Sequence, residues 1–227
     1  MLISEELWRA NDDLTYACLN SSFIKNLGNA SLLKPQFVNY LQQESFCQQA
    51  CARVYGIAAA KAPDWEGFST LHQLMGESVS SLRVRHQTAL KWGEVVGPAS
   101  APSPVIQRYT DFLVSTAWNQ ELGLILAALT PRFRLIHAIG QSLMVLGLQR
   151  HVYGDWILNA SSPRSGQVVQ LLEGLLNRYV TKDSKQFSNY RQALLCERDF
   201  LNAMDQISAP ESLLRLSEPA NRYSIMP

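Results

Sequence analysis

The chain has 227 residues and a mass of 25.5 kDa; 47% of its residues are apolar and 17% charged. Its 20 Lys and Arg stand against 19 Asp and Glu, a net charge of +1. So apolar a chain is not disordered as a whole, its length suits one large domain or two small ones, and its charge does not imply a basic nucleic-acid surface. No run reaches the roughly 20 apolar residues of a membrane span. The best one, Leu122 to Leu148, is broken by Pro131, Arg132, Arg134, His137 and Gln141. Met1 to Asn11 carries Glu5 and Glu6 and has no apolar h-region, so no secretory signal is expected. Cys18, Cys47, Cys51 and Cys196 form no CxxC pair, and a reduced, cytoplasmic protein is expected.

Apolar residues recur at helical spacing almost throughout, and strand-like alternation is scarce. A first helix is expected from Glu5 to Leu27 with a break near Asn20. A second runs from Lys34 to Lys61, with Pro35 in its first turn. Asp64 caps a third that reaches Trp92. A fourth spans Pro104 to Trp118, and a fifth spans Asn119 to Gln149, where Pro131 should kink or interrupt it. A short sixth holds Tyr153, Trp156 and Ile157. Ser162-Pro163 opens a seventh that ends near Tyr179, and an eighth covers Asp183 to Ile207. The Pro-rich Gly93 to Pro104 loop is a candidate boundary, but each half would hold only a few helices. The expectation is one all-α domain, a single multi-helix bundle over 1–208, with 209–227 as a loosely packed tail.

Two acids fall on stripes that read as core-facing. Tyr40, Glu44, Cys47 and Cys51 share one face of the second helix. Glu is seldom buried without a partner, so either Glu44 pairs with an arginine such as Arg53 or Arg132 at the core's rim, or it serves a site. Glu197 sits among Leu194, Leu201 and Met204 on the last helix. Two inward carboxylates could be set to different pKa values and do acid/base chemistry, or each could make a buried hydrogen bond. His72, His86, His137 and His151 show no ligand spacing and no Glu-x-x-His, so no metal is expected. There is no Gly-x-Ser-x-Gly elbow and no phosphate-binding Gly loop. Cys47, Cys51 and Cys196 read as buried, inert thiols. Arg132 and Arg134 could hold an anion or be ordinary ion-pair residues.

The residues from about Ser22 to Phe200 resemble the TenA, or thiaminase II, family. Phe23-Ile-Lys-Asn-Leu-Gly-Asn-Ala-Ser-Leu32 with Phe37-Val-Asn-Tyr-Leu41 is similar to the family's opening. Tyr40-Leu-Gln-Gln-Glu44, Ala52-Arg53 and Ala58-Ala-Ala-Lys61 resemble its Y-L-x-Q-D…A-R…A-A-A-K helix. Leu126-Ala-Ala-Leu-Thr-Pro131 with Ile139-Gly140 resembles its A-A-L-L-P-C…I-G segment, and Tyr153-Gly-Asp-Trp-Ile157 its Y-x-x-W-I. The resemblance implies a haem oxygenase-like helical fold and a deep pocket for a substituted aminopyrimidine. It also implies hydrolysis of an aminomethylpyrimidine or of thiamin, no cofactor, and a cytoplasmic homo-oligomer, usually a tetramer. Neither nucleic acid nor membrane is an expected partner.

Carried over residue by residue, the family's pyrimidine-holding aspartate matches Glu44, and its acid/base glutamate matches Glu197 with Phe200 nearby. The tyrosine of the fourth helix matches Tyr109. Five positions depart from the pattern. Two aromatic residues of the second helix are Cys47 and Cys51, and two tyrosines are Ile136 and Ala160. The nucleophilic cysteine is Arg132, a group that stays protonated and cannot attack carbon. A branch of the family, plant members included, also lacks that cysteine and has a glutamate where this chain has His137. Two functions follow as alternatives. One is an aminopyrimidine hydrolase with Glu197 as acid/base and Glu44, Tyr109, Phe200, Cys47, Arg132, Ile136 and His137 around the ring. The other is a divergent small-molecule-binding protein, or an enzyme with another substrate, favoured if Arg132 faces the acids. A DNA-binding regulator and a haem oxygenase are both disfavoured: the sequence offers no helix-turn-helix signature, no net basic charge and no axial histidine near the start of the first helix.

Overall fold

Local capping decides where several helices start, and one central helix decides where they pack. The computed structural model describes residues 1–91, 101–145, 147, 151–180 and 184–205, with the backbone alone over 83–91 and at 184. Ten helices and no strand form among them. The domain's expected end at 208 and the tail at 209–227 lie outside the described residues, as do Trp92, Asp183, Ile207 and most of the 93–104 loop.

The expected first helix is three: α1 (Ile3–Arg9), α2 (Asp12–Leu19) and α3 (Ser22–Gly28). The break near Asn20 is present, and a second falls at Asn11. Asn11 is buried, and its side chain donates to the Leu7 carbonyl at 2.8 Å, so it closes α1 instead of continuing it. Ser21 Oγ accepts from the Ile24 amide and opens α3.

Helix α4 (Lys34–Ala60) starts where Gln36 Oε1 accepts the Leu33 amide, with Pro35 in its first turn. Its buried stripe runs through Phe37, Tyr40, Leu41, Glu44, Cys47, Cys51, Val54, Tyr55 and Ala58. Asp64 caps α5 (Trp65–Lys91) as expected, its Oδ1 accepting the Gly67 amide at 2.9 Å. Ser103 caps α6 (Pro104–Asn119). Lys61 then explains why α6 stops. Its ammonium donates to the Ala117, Trp118 and Gln120 carbonyls at 2.7, 3.0 and 2.7 Å, satisfying acceptors that a helix end leaves open.

The fifth expected helix is shorter than read. Gln120 is extended, and α7 spans Leu122–Met144. Pro131 does not interrupt it, because neighbours on several sides hold both of its halves in register. Helices α10, α9, α8 and α6 all pack on α7, while α4 lies against α5 and α6. By length and composition α7 could cross a bilayer, contrary to the reading of its sequence, but most of its apolar stretch is buried inside the bundle. Helix α8 (Gly154–Ala160) crosses α7 at Gly140, where an added Cβ would lie 2.6 Å from the Ala160 carbonyl carbon. Ser162 caps α9 (Pro163–Tyr179), and α10 (Ser184–Asp205) returns along α7. This crossing of α4, α7 and α10 brings three distant charged residues to one point.

Candidate functional site

Arg132 projects from α7 into the gap between α4 and α10. Its Nη2 donates to Glu44 Oε1 at 2.7 Å and its Nη1 to Glu197 Oε1 at 2.5 Å. All three side chains are sealed from solvent: Arg132 and Glu44 are 1% exposed and Glu197 is 3%. Of the two arginines considered for Glu44, the partner is therefore Arg132. Both acids face inward because each occupies a helical stripe that is otherwise apolar. Burial alone would lower the pKa of the guanidinium, but the adjacent Glu197 charge raises it well above the usual arginine value. Arg132 stays a cation, and the two contacts are charge-assisted hydrogen bonds of the stronger kind.

The lost thiol is not replaced by another. Cys47 and Cys51 are fully buried around the guanidinium. Desolvation pushes the Cys51 thiol up to about 11 and Cys47 higher still, with Arg132 opposing the shift in both. Neither carries a useful thiolate fraction near neutral pH. Small thiols at 47 and 51, where the family pattern has aromatic rings, leave the volume that a long guanidinium needs.

A cavity of about 440 Å³ opens on one side of this cluster. Glu44 lines it, together with Tyr40, Tyr55, Phe133, Ile136 and Trp156. The size suits a small ligand, and the four aromatic rings in a largely polar wall suit a flat ring with polar substituents. Part of the wall is polar: Gln48 is buried and donates to Ser78 Oγ at 2.6 Å and Ser81 Oγ at 3.1 Å. Glu197 does not line the cavity; the Arg132 guanidinium bridges it to Glu44, which does.

The remaining site residues divide by position. Ile136 lines the cavity, as does Ala160. Tyr109 is fully buried beside the triad, and its hydroxyl has no hydrogen-bond partner among the described residues. Burial pushes its pKa well above the usual value, Glu197 adds to that, and Arg132 opposes it. Phe200 stacks on Tyr40, with ring centroids 5.4 Å apart and planes at 16°, so it supports the wall from behind. His137 is turned away from the cavity: Nδ1 lies 3.1 Å from the Ala160 carbonyl, and the ring packs near Gly166. Arg134 is an ion-pair residue on the far side of α7, bonded to Glu173 and Glu5 beneath Trp8. Sequence reasoning missed Tyr55, Phe133, Gln48 and Ser78. The signal was available for Tyr55, which continues the Glu44, Cys47, Cys51 stripe by one turn.

The described residues thus form a helical bundle with a buried acid–arginine–acid cluster beside a cavity in its core. The chain belongs to the TENA/THI-4/PQQC family, whose profile matches residues 10–206. It is 30% identical over 151 residues to the thiamine biosynthesis multifunctional protein ThiED of Corynebacterium efficiens, covering 66% of this chain and 20% of that one. The chain thus spans about a fifth of the length of that relative. It is 27% identical over 160 residues to the aminopyrimidine aminohydrolase of Bacillus subtilis, covering 69% and 68%. A TenA homologue from P. horikoshii superposes with a TM-score of 0.84 at 18% identity, covering 90% and 98%. The fold is the haem oxygenase-like fold of that family.

Proposed function

We propose that this protein hydrolyses an amine from a substituted aminopyrimidine, the activity after which its B. subtilis relative is named, and that it does so without a nucleophilic cysteine. The observation that carries this reading is the convergence of Glu44 and Glu197 from separate helices on the Arg132 guanidinium, with Glu44 in the wall of a cavity that also holds four aromatic rings. Glu44, in the cavity wall, accepts hydrogen bonds from the ring's amino group. Tyr40 and Trp156 flank the ring. Glu197 lies behind the guanidinium, outside the cavity wall, so the chemical step requires Arg132 to swing away as substrate enters; Glu197 then takes a proton from water as the water oxygen attacks the carbon bearing the amine. The carbon–nitrogen bond breaks, and the proton passes from Glu197 to the departing amine, which leaves as ammonia. Water is consumed, the product is the hydroxymethylpyrimidine, and Glu197 returns to its starting state.

One observation favours a second reading, binding without turnover: Arg132 already bridges both acids. A bridged Glu197 is a poor base and has no proton to donate until the bridge opens. The test incubates the protein with thiamin and, separately, with 4-amino-5-aminomethyl-2-methylpyrimidine, and measures release of hydroxymethylpyrimidine by wild type and Glu197→Gln. Release that disappears in the variant supports the hydrolase. Tight binding with no release supports the second reading. Neither binding nor release by folded protein overturns both.

A further inference from the structure

Gln48 stands on α4 one turn after Glu44, so the two share a face of the helix, and both line the cavity. Gln48 is 3% exposed. Its amide ties α4 to α5 through the two bonds to Ser78 and Ser81. Those serines fix which way round the amide sits, because a serine hydroxyl has one hydrogen to give. That of Ser81 goes to the Ser78 carbonyl at 3.0 Å, and that of Ser78 to the Gln48 main-chain carbonyl at 3.4 Å. Both hydroxyls therefore turn lone pairs toward the Gln48 side chain, and only its amino end can face them.

Both amide hydrogens are then used, and the carbonyl end points the other way. Gln48 Oε1 accepts from no donor among the described residues, yet it is not sealed as the Tyr55 and Tyr109 hydroxyls are. In a buried side chain that lines the cavity, the space such an oxygen opens onto is the cavity itself. A carbonyl held there accepts a hydrogen bond and has none to give. Glu44, one turn back, is also an acceptor. Successive turns lie about 5.4 Å apart, a spacing that N–H groups on two neighbouring ring positions can span.

We propose that Gln48 is a specificity-determining residue of the cavity. Its Oε1 accepts from the aminomethyl nitrogen of the ligand while Glu44 accepts from the ring's amino group. The cavity then selects a heteroaromatic diamine over the same ring carrying one amine. This rests on the aminopyrimidine reading, in which Gln48 holds the nitrogen that departs.

The test compares two ligands, 4-amino-5-aminomethyl-2-methylpyrimidine and 4-amino-2,5-dimethylpyrimidine, which lacks the second amine. Stopped-flow tryptophan fluorescence reads each Kd before turnover, since Trp156 lines the cavity. Wild type should bind the diamine about 5- to 30-fold more tightly. In Gln48→Met that preference should vanish, with Kd for the dimethyl compound changed less than about twofold. Gln48→Glu has the same shape and keeps an acceptor, so it should keep the preference, and it decides the matter if Gln48→Met does not fold. A wild type that binds both compounds equally overturns the inference and leaves the aminopyrimidine reading standing. So does equal weakening of both in Gln48→Met, or a preference lost in Gln48→Glu. A wild type that binds neither compound overturns both.

Discussion

Replacing Arg132 with methionine tests whether the acid–arginine–acid bridge holds the core together. The side chain keeps much of its volume and loses its charge. Two charge-assisted hydrogen bonds, at 2.7 and 2.5 Å, disappear. Glu44 and Glu197 are then left facing each other in a site from which water is excluded. Removing one partner of a buried ion pair costs about 3–5 kcal/mol, mostly because the other charge stays behind. For a domain of this size that lowers Tm by roughly 6–20 °C. Urea unfolding at pH 7 measures it directly. The loss should be smaller at pH 5 than at pH 8. In the variant, one of two facing carboxylates folds best with a proton, so the folded state binds more protons than the unfolded one and stability falls as pH rises. Neutralising all three positions, as Arg132→Met with Glu44→Gln and Glu197→Gln, should recover most of the loss. A single Arg132→Met variant within about 1 kcal/mol of wild type would refute the reasoning, since no buried charge would then depend on the guanidinium.

Three other outcomes follow from the same structure. The raised thiols should resist alkylation: with Cys51 pushed up to about 11 from 9.0, its thiolate fraction at pH 8 falls about a hundredfold, and burial blocks access besides. Titration with a thiol reagent should count at most the half-buried Cys196 in the native protein and all four cysteines after denaturation. Lys61→Met should cost about 1–3 kcal/mol in chemical unfolding, because three carbonyls at the end of α6 lose their donor; an unchanged midpoint would mean that water replaces the ammonium fully. Gly140→Ala should destabilise by about 1–3 kcal/mol by forcing α8 away from α7, and should weaken ligand binding because Ala160 is part of the cavity wall.

Much of the fold was legible in residue order. Ser162-Pro163 and Asp64 marked helix starts through their own side chains, and Pro104 stood at the start of another. The break at Asn11 was not expected, and the interruption allowed for at Pro131 does not occur, for one reason: the outcome at each is decided by contacts, not by local preference. A buried amide closes α1 early, and packing on several faces carries α7 through its proline.

The acids were legible too, because a carboxylate on an apolar stripe cannot be an accident of pattern. The family motifs named Glu44, Glu197 and the substitution of arginine for cysteine at 132. What no stretch of sequence contains is the meeting of those three. Glu44 and Arg132 are 88 residues apart, and Arg132 and Glu197 are 65 apart. Hydrophobic spacing determined that helices would form and which face of each would be buried. Only the way α4, α7 and α10 cross decided that the guanidinium would bridge both carboxylates. The same crossing turned His137 out of the cavity and Tyr55 into its wall. A helix's own residues fix the direction of its side chains, but only its neighbours fix what those side chains reach.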